Sequence, residues 1–200
     1  GDSDGTEEFS GLTYTGAATG IPYDGSSPLY GDVLLGGEFG DGVAFMLQPK
    51  GTKWHFEKLY DFCALANCAD GAAPQSELLA DHSGNLFGVT QSGGLGTHGG
   101  TVFELTPNGP HWHLTTLYRF CALRNCADGS GPRSPLVKNA QGNLLGTAEY
   151  GGTKHGNCCG AIFQEAIDGD SFVESTVYNF CSKADCADGS RPQGTLITDT

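Results

Sequence analysis

The sequence has little positive charge. Ten lysines and arginines stand against twenty-three aspartates and glutamates, for a formal net charge of −13. A phosphate backbone is held mainly by basic side chains that release its counterions, so nucleic acid is excluded as the main partner. No run approaches the ~18 consecutive apolar residues of a membrane-spanning helix, and no membrane insertion is expected. Residues 1–5 carry two aspartates and no apolar leader core, which suits a soluble chain or the mature part of an exported one. Charge of either sign is scarce, 16% of residues against an ordinary ~25%, so there is little material for helix surfaces. A Gly-x-Ser-x-Gly elbow is missing, as is Cys-x-x-Cys-His, and neither a nucleophile with its base nor a pair of carboxylates in a pocket is legible. The expectation is a protein without catalytic residues and without a cofactor. What abounds is glycine, 32 of 200 residues, about twice the usual ~7%.

Self-similarity at a fixed period decides the architecture when it is present. Leu59-Tyr60-Asp61-Phe62-Cys63 recurs as Leu117-Tyr118-Arg119-Phe120-Cys121 and as Val177-Tyr178-Asn179-Phe180-Cys181, with the tyrosines 58 and 60 residues apart. Each copy runs through Cys-x4-Cys-Ala-Asp-Gly to Pro74, Pro132 or Pro192. An apolar pair follows (Leu78-Leu79, Leu136-Val137, Leu196-Ile197), then Gly84-Asn85-Leu86-Phe87-Gly88, matched by Gly142-Asn143-Leu144-Leu145-Gly146. Gly93-Gly94 and Gly151-Gly152 come next, and Thr101-Val102-Phe103-Glu104-Leu105, echoed by Ala161-Ile162-Phe163, closes the unit. A shorter early copy is read in Leu12, Tyr14, Asp24-Gly25, Pro28-Leu29-Tyr30-Gly31, Gly36-Gly37 and Val43-Ala44-Phe45. Its Tyr14 lies only 46 residues before Tyr60, so about a dozen residues are missing. The chain divides into a partial unit 9–60, units 61–118 and 119–178, and a terminal partial unit 179–200, all within one repeat domain.

None of the apolar runs reaches helical length, and β-branched and aromatic residues fill them, so they read as strands. In the second unit these are a at 77–81, b at 86–91, c at 101–106 and d at 113–120. Residues 81–85 and 107–110 have hairpin-turn chemistry. Four antiparallel strands in nearly sixty residues make an all-β, propeller-like array, about three blades in this chain; a solenoid is the rival, although its turns use fewer residues.

Leu-Tyr-x-Phe, Asp-Gly-x-x-Pro, Gly-Asn-Leu-x-Gly, the Gly-Gly pair and Val-Phe-x-Leu together resemble the Gloeo-Verruco (GloVer) tandem repeats of bacterial surface and exported proteins. The resemblance covers almost the whole chain from Leu12. It implies a repetitive, propeller-like extracellular or cell-surface protein and carries over no catalytic residues.

Six of the eight cysteines fall in three Cys-x4-Cys spacings, which are either disulfides or metal ligands. Zinc wants two such pairs converging, whereas repeats hold equivalent loops apart. Local bridges Cys63–Cys68, Cys121–Cys126 and Cys181–Cys186 are therefore expected, each contributing ~2 kcal/mol by loop entropy, and they imply an oxidising compartment. Asp70, Asp128 and Asp188 precede glycine; the plain reading is a turn in which the side chain holds backbone amides, with calcium as the lesser alternative. Trp54 and Trp112, and Phe172 in the third copy, read as blade packing. His55 and His113 correspond by position and need no chemical role.

One loop departs from the pattern. Thr153 to Gly160 is two residues longer than its counterpart and contains adjacent Cys158 and Cys159, the simplest remaining bond. In a four-stranded blade the b–c and d–a loops share a face, so His155, Asn157, Cys158 and Cys159 form a candidate sugar- or ligand-binding platform beside the Cys-x4-Cys loops. The first unit passes from Pro28 directly into its strand b and lacks a strand a. Thr195, Leu196, Ile197, Thr198 and Asp199 supply a strand a with no strand b. The expected partner is thus the chain itself, with head-to-tail strand complementation giving a filament or a closed ring. A surface module binding extracellular glycan is the alternative.

Overall fold

The computed structural model describes residues 10–96, 99–152, 159–168 and 171–198, and forms three antiparallel sheets. The first contains β1 (Leu29–Val33), β2 (Val43–Lys50) and β3 (Lys53–Asp61). The second contains β4 (Ala72–Pro74), β5 (Leu79–Ala80), β6 (Leu86–Ser92), β7 (Thr101–Asn108) and β8 (His111–Arg119). The third repeats it as β9 (Ser130–Pro132), β10 (Val137–Lys138), β11 (Leu144–Tyr150), β12 (Ala161–Asp168) and β13 (Ser171–Asn179). Among the described residues there is no α-helix, only short 3₁₀ turns, and the sheets close no barrel or ring. The four strands expected in the second unit are all found, with one refinement. Strand a is split in two, β4 and β5 both pairing with β6, as β9 and β10 both pair with β11. Hairpin turns form where expected, with Asp81 and Asn139 side chains accepting the amides of Ser83 and Asn85, and of Gln141 and Asn143.

The sheets stack, so β6 and the first half of β7 are buried on both faces, which is why they read as near-continuous apolar runs. Leu86, Phe103 and Leu105 meet Tyr30, Ala44, Leu59 and Phe62 of the first unit. Phe87, Val89, Val102 and Phe120 meet Leu136, Leu144, Ala148 and Phe163 of the third. At each seam a phenylalanine that follows the last strand of one unit packs edge-on against one in the next, Phe62 on Phe103 at 5.1 Å and Phe120 on Phe163 at 4.8 Å between centroids. The accepting ring lies over a glycine. A Cβ at Gly88 would stand 2.6 Å from Phe103, and one at Gly146 2.5 Å from Phe163. A register shift recurs at Ala44/Phe45, Val102/Phe103 and Ile162/Phe163. In the second unit this bulge leaves Leu117 as the extra residue, so that it and Tyr118 both pack into the second seam. The seams are also pinned through backbone: Ala73 donates to the carbonyl of Asp41, Gly131 to Gly99 and Arg191 to Cys159, at 2.8–2.9 Å. These donors have φ of 57°, 62° and 55°, a left-handed conformation in which alanine and arginine are strained.

The first unit does not lack its strand a. Thr13 and Tyr30 exchange both backbone hydrogen bonds, at 2.9 and 2.8 Å, just where Leu79 pairs with Phe87 and Val137 with Leu145. Leu12 covers Gly31 as Leu78 covers Gly88 and Leu136 covers Gly146. Ser10 reaches Asp32 as Ser134 reaches the amide of Thr147. Residues 10–13 are therefore the missing piece, and 14–28 form a long loop in place of a five-residue turn. Aligning Tyr14 with Tyr60 hides this, because the counterpart of Leu12-Thr13 is the apolar pair Leu78-Leu79. Thr195, Leu196, Ile197 and Thr198 form no strand in this chain, and Ile197 is 96% exposed; Asp199 lies outside the described residues.

Removing Phe120 leaves a ring-sized hole in a seam that is fully buried. Phe120→Ala should lower stability in urea by about 3–5 kcal/mol. Gly88→Ala forces Phe103 and Leu78 aside and should cost about 1–3 kcal/mol, measured in the same way.

Candidate functional site

The residues that return most faithfully build a loop rather than a catalytic pocket. Cys63–Cys68, Cys121–Cys126 and Cys181–Cys186 are disulfide-bonded, each across a separation of five residues. The ring is tight. Cys63, Asn67 and Cys68 take φ of 64°, 57° and 52°, and their counterparts do the same. The amide of Cys63 bonds the carbonyl of Gly71 and closes the loop at 2.9 Å.

Asp70 organises the interior of this loop. Its Oδ2 accepts the Tyr60 hydroxyl at 2.8 Å and the Ala64 amide at 2.9 Å, and its Oδ1 accepts the Leu65 amide at 3.1 Å. Asp128 does the same with Tyr118, Ala122 and Leu123, and Asp188 with Tyr178, Ser182 and Lys183. This is the amide-holding role expected of all three. Burial, and then the hydrogen bond to the neighbouring aspartate, hold the Tyr60 and Tyr118 phenols far above their ordinary value. Asp70 and Asp128 are fully buried, whereas Asp188 is only half-buried. The hydrogen bond from Tyr178, with those of Ser182 and Lys183, holds Asp188 well below the ordinary carboxylate range.

The expected meeting of loops on one face is present. The Gly94 amide donates to the carbonyl of Cys68 and the Gly152 amide to that of Cys126, both at 2.9 Å. A Cβ at Gly93 would stand 2.6 Å from the Cys68 carbonyl, so only glycine permits this approach. Between these loops in the second unit lies a cleft of about 670 Å³, with Asp41, Asn67, Cys68 and Leu95 on its walls. Asp41 comes from the first unit, and no repeat signal marks it. Its carboxylate lies within 4.8 Å of the Cys63 and Cys68 sulfurs, but a disulfide offers no thiolate to a metal. In the third unit, His155, Asn157 and Cys158 lie outside the described residues. Cys159 is buried two residues before β12, in the position of Asp41 and Gly99, and its carbonyl receives the Arg191 amide. Beside it Arg133 and Glu149 pair at 3.1 Å, in the positions held by the Gln75–Gln91 hydrogen bond one unit earlier. Arg191 lies 5.4 Å over the Tyr150 ring.

Two outcomes follow from the aspartate loop. Asp128→Ala strands two amides and a phenol and should cost about 3 kcal/mol, with a smaller loss for Asp188→Ala at the more open copy. Because the folded value of Asp188 is depressed, its contribution is present above the unfolded carboxylate value and is lost as pH falls through the acid range. NMR of the Ser182 and Lys183 amides should report that loss.

A family model described as the Gloeobacter/Verrucomicrobia repeat matches residues 4–200. A search of curated proteins found no match.

Proposed function

This chain belongs to the Gloeobacter/Verrucomicrobia repeat family, and we propose that it is an extracellular structural repeat protein whose third unit stacks head to tail on the first unit of a second copy. The observation that carries this reading is the trailing face of the third unit. Tyr178 and Phe180 are set at 5.3 Å and 81°, as Tyr118 and Phe120 are at 5.1 Å and 80°. Phe120 is wholly buried, but Phe180 is only half-buried, and Tyr178, Val177 and Val173 are 37%, 54% and 50% exposed. The leading face of the first unit offers the complement. Trp54 and Phe56 are exposed there, with Phe56 stacked on Phe45, the counterpart of Phe103 and Phe163. Trp112, the counterpart of Trp54, packs edge-on against Tyr30 of the preceding unit. In a seam between copies Trp54 meets Leu145 in the same way, and Phe45 meets Phe180.

Such a contact joins two different surfaces, so it either closes or propagates. Two chains of three sheets give six units, within the ~4–8 of closed propellers; otherwise a filament forms. Face-to-face stacking leaves residues 10–13 in place, whereas strand donation requires 194–198 to displace them. The three disulfides support an oxidising compartment, and among the described residues no helix is long and apolar enough to cross a membrane. The reading includes no catalytic step. The cleft beside Asn67 and Leu95 favours a second reading, glycan binding at the loop face, which saturable binding on a glycan array would establish.

Light scattering tests the assembly. The intact chain should exceed the mass of one copy, Phe180→Asp should reduce it to a monomer, and deletion of 194–200 should leave the assembly intact. A monodisperse intact monomer overturns the reading, and loss of assembly only on deletion of 194–200 replaces stacking with strand donation.

A further inference from the structure

One cross-strand position has opposite chemistry in the two seams. On the leading face, Leu47 pairs with Phe56 in the first unit and Leu105 with Leu114 in the second. In the third unit the same position holds Glu165 opposite Glu174. Glu165 is completely buried against the second sheet, and neither of its carboxylate oxygens has a hydrogen-bond partner. Glu174 is half-buried and accepts only a hydroxyl hydrogen bond from Thr176, at 3.3 Å.

The groups around the pair do not neutralise it. From β8 comes Tyr118, whose hydroxyl is committed to Asp128 in the following loop, while His113 farther along β8 is exposed. From β7 comes Glu104, and from β10 Lys138, which lies 4.8 Å over the Phe87 ring and acts on Glu104. No cation is among the causes acting on Glu165 or Glu174. The pair is not a metal site by geometry, since the one three-ligand group among the described residues is at Asp41.

We propose that the Glu165–Glu174 pair makes the seam between the second and third sheets a proton-controlled joint, closed when the carboxyls are protonated and loosened when they ionise. A protonated carboxylic acid is a modest guest in an apolar seam, whereas an unpaired carboxylate facing a second one is a costly guest. Burial first, and then the charge of Glu174, push Glu165 up to about 8. Burial raises Glu174 as well, and Asp128 adds to it. A raised acid binds more protons folded than unfolded, so stability is full below the ordinary glutamate value and falls as pH rises through about 8. The joint therefore works at neutral to alkaline pH. It holds or releases the third sheet whether or not that sheet stacks on a second copy.

The experiment compares urea unfolding of the 200-residue chain from about pH 6 to about pH 9 with that of Glu165→Gln and of Glu165→Leu, the residue used at the first seam. The ratio of the wild-type to the variant unfolding constant should grow by at least about tenfold over that range. Parallel profiles overturn the proposal. If neither variant folds, carbon-13 NMR titration of the Glu165 carboxyl in the wild-type chain decides, where a midpoint in the ordinary glutamate range overturns the joint and one near neutrality or above supports it.

Discussion

The fold depends on a phenylalanine ring pressed onto the next unit at a place where only glycine fits beneath the receiving ring. Neither half of the contact is stable alone. Phe62 and Phe120 follow the last strand of their own sheets and find full burial only against Phe103 and Phe163. Those rings lie flat only because Gly88 and Gly146 carry no Cβ. A short sheet with two apolar faces has no stable solitary form, so stacking is its route to a core. The glycine content noted first in the composition is partly the price of that closeness.

The disulfide loops serve the seam. Each must reverse the chain between the last strand of one unit and the first of the next, and a buried aspartate does this by collecting a phenol and two amides. The tyrosine it holds is two residues from the seam phenylalanine and packs against it. Loop and seam are therefore mechanically one object. Where the following unit is present, as for Asp70 and Asp128, the aspartate is fully buried; where the face is open, as for Asp188, the same hydrogen bonds are exposed. The identical geometry under different exposure shows that the loop forms from its own sequence and that burial comes from the neighbour.

Function on such a scaffold resides in what varies between equivalent positions. The Leu105–Leu114 and Glu165–Glu174 pairs occupy one register position with opposite chemistry, and Asp41, Gly99 and Cys159 occupy another. Of the repeated histidines and tryptophans, Trp112 is accounted for by packing on Tyr30, whereas Trp54, His55 and His113 are exposed.

The sequence by itself determined the all-β class, the period, the strand positions in the second and third units, the three disulfide pairings and the amide-holding aspartates. All of these rest on local spacing, turn chemistry and chain reversal, which act over a few residues. Tertiary structure alone decided how the first unit is completed. Leu12 and Thr13 carry no motif of their own, and only their bonds to Tyr30 and contact with Gly31 identify them as its inner strand. It alone set Asp41 beside a disulfide of the following loop, and it alone turned Glu165 inward. Burial on both faces removes the polar–apolar alternation that would mark the side on which a residue lies, so whether a glutamate in such a strand meets water or a neighbouring sheet is settled by stacking.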